Sequence, residues 1–115
     1  MTRIIAGEAD PAAQLARTLA GDQTARIWSS EPRGEGEPAD SSAPLARDLA
    51  RFEAEALVRR PESVLLADGS DAALAAALVA AKLLIPLAAT EAAMRRSSAN
   101  GRLIAQLADA YTRAP

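Results

Sequence analysis

Carboxylates are the side chains in this sequence best equipped for a reaction. The 115 residues include no histidine and no cysteine. That removes imidazole bases, thiolate nucleophiles, catalytic triads and the usual zinc ligand sets. Acid–base work then falls to aspartate and glutamate. Glu91 stands out, because it follows the apolar run 84–89 and Thr90. A half-buried glutamate at the end of a strand suits a general acid or base. Proton transfer in both directions needs a second group, and Glu8 and Asp68 are the carboxylates expected on the same edge. The structural alternative for Glu91 is a helix cap or an ion pair with Arg95, four residues on.

A second constellation is Asp68-Gly69-Ser70-Asp71, between an apolar run and an alanine-rich segment. Free N–H groups at the start of that helix suit an anion such as phosphate. Ser70 or Asp71 capping the helix is the structural alternative, and a cap occupies the same donors. No glycine-rich dinucleotide fingerprint and no lysine-containing phosphate loop is present. The single lysine, Lys82, falls at the far end of the helix, where it complements the dipole.

The elements that must hold these groups read as an alternation of strands and helices. Residues 3–6 form a first buried strand, stopped by Gly7. Asp10-Pro11 predicts a helix start, with Asp10 as cap, and Gly21-Asp22 its end. Residues 25–28 form a second strand. A loop follows at 29–43, rich in Gly, Pro, Ser and acid. From Pro44 to Arg60, Leu45, Leu49, Phe52, Ala56 and Leu57 give one apolar face. Arg47, Asp48, Arg51, Glu55 and Arg59 give a polar one, with Arg51 and Glu55 spaced to pair. Residues 64–67, the helix ending near Leu83 and residues 84–89 read as strand, helix, strand. A short turn through Met94, a helix capped by Ser98 and, at 111–115, either a fifth edge strand or a frayed tail complete the chain. This order predicts a three-layer α/β/α sandwich with a small, mostly parallel Rossmann-like sheet of four or five strands, in one domain spanning 1–115. Ligands of such sheets sit at the carboxyl ends of the strands, where strand order reverses. Here those ends are Gly7-Glu8, Ser29-Ser30, Asp68-Gly69-Ser70 and Thr90-Glu91.

The segment 72–83 has almost no polar side, and a helix apolar all round is buried all round. A neighbouring helix or a second subunit would cover it. Leu74, Ala77, Leu78 and Ala81 are the interface residues this predicts.

Half of the residues are hydrophobic, enough for a real core. The net charge of -2 with interspersed signs gives no footprint for nucleic acid. The amino terminus lacks a cleavable signal pattern, and Lys82 interrupts the longest apolar run, so no membrane span is expected. A cytoplasmic protein without metal or cofactor is the expectation.

At 68–95 the residues resemble the amino-terminal half of the non-hydrolysing UDP-N-acetylglucosamine 2-epimerase family. Its members read as apolar strand, Gly-Asp-Thr, alanine-rich helix, Gly-Ile-Pro-Val and Ala-His-Val-Glu-Ala-Gly-Leu-Arg. This chain has VLLADGSDAALAAALVAAKLLIPLAATEAAMR, then SSANGRLIAQLADAYTRAP. Ile85-Pro86, Glu91, Ala92, Arg95, Asn100, Leu107 and Asp109 carry the likeness. Several positions depart from it. The family's Gly-Asp is Asp68-Gly69, its histidine is Ala89 and its following glycine is Ala93. Ser97-Ser98 replace its paired glutamates, and its Asn-Arg is Asn100-Gly101.

The resemblance implies a Rossmann-like domain with Glu91 as the one surviving catalytic position. The sheet edge and helix start give Gly7, Asp68, Gly69 and Ser70 as ligand contacts; the resemblance adds Arg95 and Asn100, and a UDP-sugar as ligand. Family chemistry removes the sugar C2 proton and passes through elimination and re-addition of UDP, which takes more than one acid or base and a closed cleft. The expectation is therefore a non-catalytic, epimerase-like assembly domain, a homodimer or paired with another chain. One half of a split epimerase and a stand-alone nucleotide-sugar binder are the alternatives.

Overall fold

The structure is a computed structural model that describes residues 2–18, 24–30, 36 and 41–112. The strands are β1 (Thr2–Ala6), β2 (Thr24–Trp28), β3 (Ser63–Leu66), β4 (Leu87–Thr90) and β5 (Ala110–Thr112). The helices are α1 (Ala9–Thr18), α2 (Ala43–Val58), α3 (Asp71–Leu83) and α4 (Ala99–Leu107), with a single 3-10 turn at Ala92–Met94. All five strands form one sheet in the order β2-β1-β3-β4-β5, and every pairing is parallel. Most of the expected loop at 29–43 lies outside the described residues, as do the helix end at Gly21-Asp22 and residues 113–115.

Apolar burial explains the layers. Ile4 and Ile5 are adjacent on β1 and point to opposite faces, yet both are buried. That requires cover on both sides of the sheet. One face carries Ile4, Ala6, Val64, Leu66, Leu87 and Ala89 against α2, α3 and α4. The other carries Ile5, Leu65 and Ala67 against Ala12 and Leu15 of α1 alone. Strand order accounts for the asymmetry. The step from β1 to β2 runs one way across the sheet and every later step runs the other way. Right-handed connections then place α1 opposite the remaining helices.

The alanine-rich α3 lies between α2 and α4 on the sheet, and Ala72 to Ala77 are all at most 3% exposed. Its own domain therefore covers most of its circumference. Leu84 closes the helix in the left-handed region, with φ 58°. The Leu84 and Ile85 N–H groups donate back to Ala81 and Ala80 carbonyls, the double bond of a Schellman motif. The expected strand at 84–89 accordingly begins only at Leu87. Helix α1 likewise begins at Ala9 rather than after Asp10. Pro11 still sits in the first turn, where its missing N–H has no intrahelical partner to lose.

Helix α2 departs most from its expected faces. Leu57 is 66% exposed, whereas Asp48 is 3% exposed. Trp28 at the end of β2 draws the polar groups inward. Arg51 lies over the Trp28 ring at 4.4 Å, and the ring meets Phe52 edge-on at 4.8 Å. Asp48 approaches Arg51 at 3.5 Å and accepts from the Ser30 hydroxyl at 2.6 Å. Arg51 is thus turned towards β2, and Glu55 pairs with Arg26 instead.

Candidate functional site

The carboxyl edge of the sheet is assembled from three connections. Between β1 and β3 the neighbouring connections leave to opposite faces, which is the switch point of this topology. Gly7 lies there, buried, with φ 156°. A Cβ at Gly7 would stand 3.0 to 3.1 Å from the Asp68 carboxylate. The absence of a side chain at Gly7 lets that carboxylate settle over the end of β1. Asp68 Oδ2 accepts from the Glu8 N–H at 2.9 Å, and Oδ1 from the Ser70 N–H at 3.0 Å. One carboxylate thus ties the start of α1 to the start of α3.

Ser70 caps α3, its hydroxyl accepting from the Ala73 N–H at 3.2 Å. Asn100 on α4 reaches across and donates to the Gly69 carbonyl at 3.0 Å and to Asp71 Oδ1 at 2.9 Å. Ser98 caps α4 through the Gly101 N–H at 3.0 Å. The Ser98 N–H and hydroxyl both donate to the Arg95 carbonyl at 3.4 Å. Gly101 lies flush against the Arg95 backbone: a Cβ there would stand 1.9 Å from the Arg95 oxygen. The backbone of Arg95 is fixed while its side chain stays exposed.

These contacts leave a cleft of about 390 Å³ whose lining includes Pro11, Asp68, Gly69, Arg95, Ser97 and Ser98. A smaller cavity of about 200 Å³ adjoins it between α1 and β4, lined in part by Leu15, Ala67 and Thr90. Buried Thr90 holds the rim. Its hydroxyl donates to the Ala67 carbonyl at 3.1 Å and accepts from the Ala93 N–H at 3.3 Å. The polar lining residues of the cleft are Arg95, Ser97, the anchored Asp68 and Ser98, whose hydroxyl is engaged in capping α4. Among the described residues, no cluster of three or more His, Cys, Asp or Glu could hold a metal. No helix among them is long and apolar enough to cross a membrane.

Of the residues expected at a ligand, Asp68, Gly69 and Arg95 line this cleft. Gly7 lies beneath Asp68. Ser70 is a helix cap and Asn100 a cross-link between α4 and the start of α3. Glu91 is not half-buried. It is exposed in the turn before Ala92, makes no side-chain cap and forms no ion pair with Arg95. The chain leaves β4 directly into the 3-10 turn, where the Met94 N–H donates to the Glu91 carbonyl. Of the four expected interface residues, Leu74 and Ala77 are at most 3% exposed inside the domain, whereas Leu78 and Ala81 are half-buried. Pro11, Ser97 and Ser98 of the lining are not among the ligand contacts that the sequence predicts. No local motif marks them, since three separated connections bring them together.

The comparisons with known proteins bear on this arrangement of strands. No protein-family model matches the sequence, and no curated protein matches it. Solved structures do. S. aureus MnaA, in a co-structure with UDP, superposes with a TM-score of 0.76 over 97% of this chain at 16% identity. UDP-GlcNAc 2-epimerase from Methanocaldococcus jannaschii superposes with a TM-score of 0.74 over 97% of the chain at 20% identity. The fold is one shared with UDP-GlcNAc 2-epimerases. A third example, the Neisseria meningitidis epimerase bound to UDP-GlcNAc, gives a TM-score of 0.72 at 16% identity. The chain spans 37% to 39% of the length of these three structures. Identities this low establish the epimerase fold alone. The resemblance read from 68–95 thus agrees with the arrangement of the whole chain.

Proposed function

We propose that this chain is a non-catalytic, epimerase-like assembly domain, acting with a second copy or another chain. One observation carries the reading: the carboxylates that would form an acid–base set are either tied to backbone amides or exposed to water. Asp68 has an oxygen bound by each of two backbone N–H groups, which makes it a fastener between connections. Glu8 is exposed beside it, and Glu91 points to water on a separate turn. Epimerisation at C2 needs a base on one face of the sugar and an acid to return the proton. A lone solvated glutamate supplies neither the pair nor the exclusion of water. The test is exchange of the C2 proton of UDP-GlcNAc in D2O, followed by proton NMR. Retention of the C2 signal at high protein concentration is expected. Loss of that signal, abolished by Glu91→Gln, would overturn the reading.

A second reading has support from Arg95. Arg95 lines the cleft with Ser97 and Ser98, exposed and without an ion pair among the described residues. That suits one wall of a nucleotide-sugar site which a further domain closes, as in a split epimerase; alone, it would be a weak binder.

A further inference from the structure

We propose that the amino edge of the sheet lies against an anionic lipid surface, with Val58 and Leu84 entering the apolar layer and Arg59 and Lys82 at the headgroups. The inference goes beyond the assembly reading and does not depend on it.

Two side chains stand out from the fold at this edge. Val58, the last residue of α2, is 82% exposed, and Leu84, which closes α3, is 84% exposed. The two helix ends are tied together, because Arg60 donates to the Leu83 carbonyl at 2.5 Å and to the Leu84 carbonyl at 3.4 Å. Leu84 also holds a left-handed backbone at a position that glycine or asparagine usually fills. A leucine there strains the backbone and, left bare, returns almost no packing to the domain. A contact outside the domain accounts for the residue type.

Charge selects the surface. Arg59 and Arg60 follow α2, Lys82 lies in the last turn of α3, and Arg17 lies in the last turn of α1 on the other face of the sheet. Arg59 and Lys82 are exposed and form no ion pair among the described residues. Glu62 and Asp109 oppose these cations, and Asp109 is engaged by the Leu87 N–H at 3.0 Å. The edge is therefore positive in a chain of net charge -2, and an anionic surface complements it. Favourable helix dipoles explain the cations alone; they do not explain the bare valine and leucine among them. A lipid layer accepts projecting side chains without a preformed pocket, whereas a peptide needs a groove. The cleft, at the opposite edge of the sheet, then faces away from the lipid.

The experiment is flotation of the full chain with vesicles of phosphatidylglycerol mixed with phosphatidylcholine, or of phosphatidylcholine alone, at low and high salt. Thermal melts check that each variant folds, and Leu84→Gly relaxes the backbone it replaces. Binding to the anionic vesicles alone is expected, weakened by salt. Val58→Ser and Leu84→Gly each remove an inserted side chain and should weaken it about tenfold. K82E removes one attraction and adds one repulsion, and should also weaken it about tenfold. Leu103→Ser, at a half-exposed position in the middle of α4, should leave it unchanged. No binding to the anionic vesicles overturns the proposal. Binding that falls with K82E but with neither apolar variant is adsorption by charge and overturns the insertion. Loss with Leu103→Ser equal to that with Leu84→Gly overturns the location. Capture by poly-glutamate as tight as by the vesicles, and lost in the same variants, overturns the lipid in favour of an acidic polypeptide.

Discussion

Replacing Gly101 by alanine should unfold this domain more readily, although alanine is the better helix former. Position 101 lies in the first turn of α4, against the backbone that leads out of the 3-10 turn. The added Cβ would stand 1.9 Å from the Arg95 oxygen, 2.7 Å from its carbonyl carbon and 2.8 Å from its nitrogen. Ordinary contact begins at 3.4 Å, so the two segments must part by 3.4 − 1.9 = 1.5 Å. Every atom met is backbone, and no rotamer change relieves the clash. Separation stretches the hydrogen bonds from Ser98 to the Arg95 carbonyl. Overpacking of this kind costs about 3 kcal/mol at the upper end of its usual range. Loss of a hydrogen bond adds about 1 kcal/mol, and the better helix propensity of alanine returns about 1 kcal/mol. The net is a loss of about 3 kcal/mol, equivalent to a fall in Tm of about 10 °C for a domain of this size. Urea unfolding followed by far-UV circular dichroism measures it. Ala105→Gly, on an exposed position of the same helix, serves as comparator and should cost about 1 kcal/mol through propensity alone. Should Gly101→Ala match or exceed the wild type in stability, the close approach of α4 to the Arg95 backbone is wrong.

Two further substitutions test the connections around the sheet. Asp68→Asn replaces an acceptor by an NH2 group that must face a backbone N–H in either amide orientation; the loss should be about 2 kcal/mol in urea unfolding, and an unchanged midpoint would deny Asp68 its role as a fastener. Leu84→Gly removes a side chain from a left-handed position and should raise stability by about 0.5 to 1 kcal/mol in the same assay, whereas a loss would show that the exposed leucine makes a contact of its own.

The layers were legible in the sequence because hydrophobic pattern and punctuation agreed. The apolar runs around Ile4 and Leu65 could only be strands buried on both faces. Ser70 and Ser98 each stood immediately before a helix and cap it in the structure. Boundaries failed where local chemistry misled. Leu84 looked like the first residue of a strand because nothing in its type announces a left-handed cap. Asp48 and Arg51 looked solvated because the helical pattern around them was clean, and the tryptophan that turns them inward is 20 residues or more away. Glu91 was placed correctly at the strand end, but its exposure depends on how tightly the chain turns after β4. The cleft was harder still, since its lining comes from α1, the β3–α3 connection and the segment before α4. Spacing along one stretch carries no information about such a convergence. The surrounding of α3 by α2 and α4 is likewise a property of the sheet order, which periodicity does not reveal.

The crevice beside Gly7 has one more implication. In sheets wound this way, the gap between the two central strands is where an incoming phosphate is ordinarily welcomed by unclaimed amides. Here the protein seats an anion of its own, the Asp68 side chain, and both amides nearest to it are taken. A negatively charged guest would meet repulsion at the gap and would have to lodge farther out, in the cleft that Arg95 lines. Whatever this domain recognises, its charge preference is set outside the innermost position of the fold, by residues that belong to the periphery.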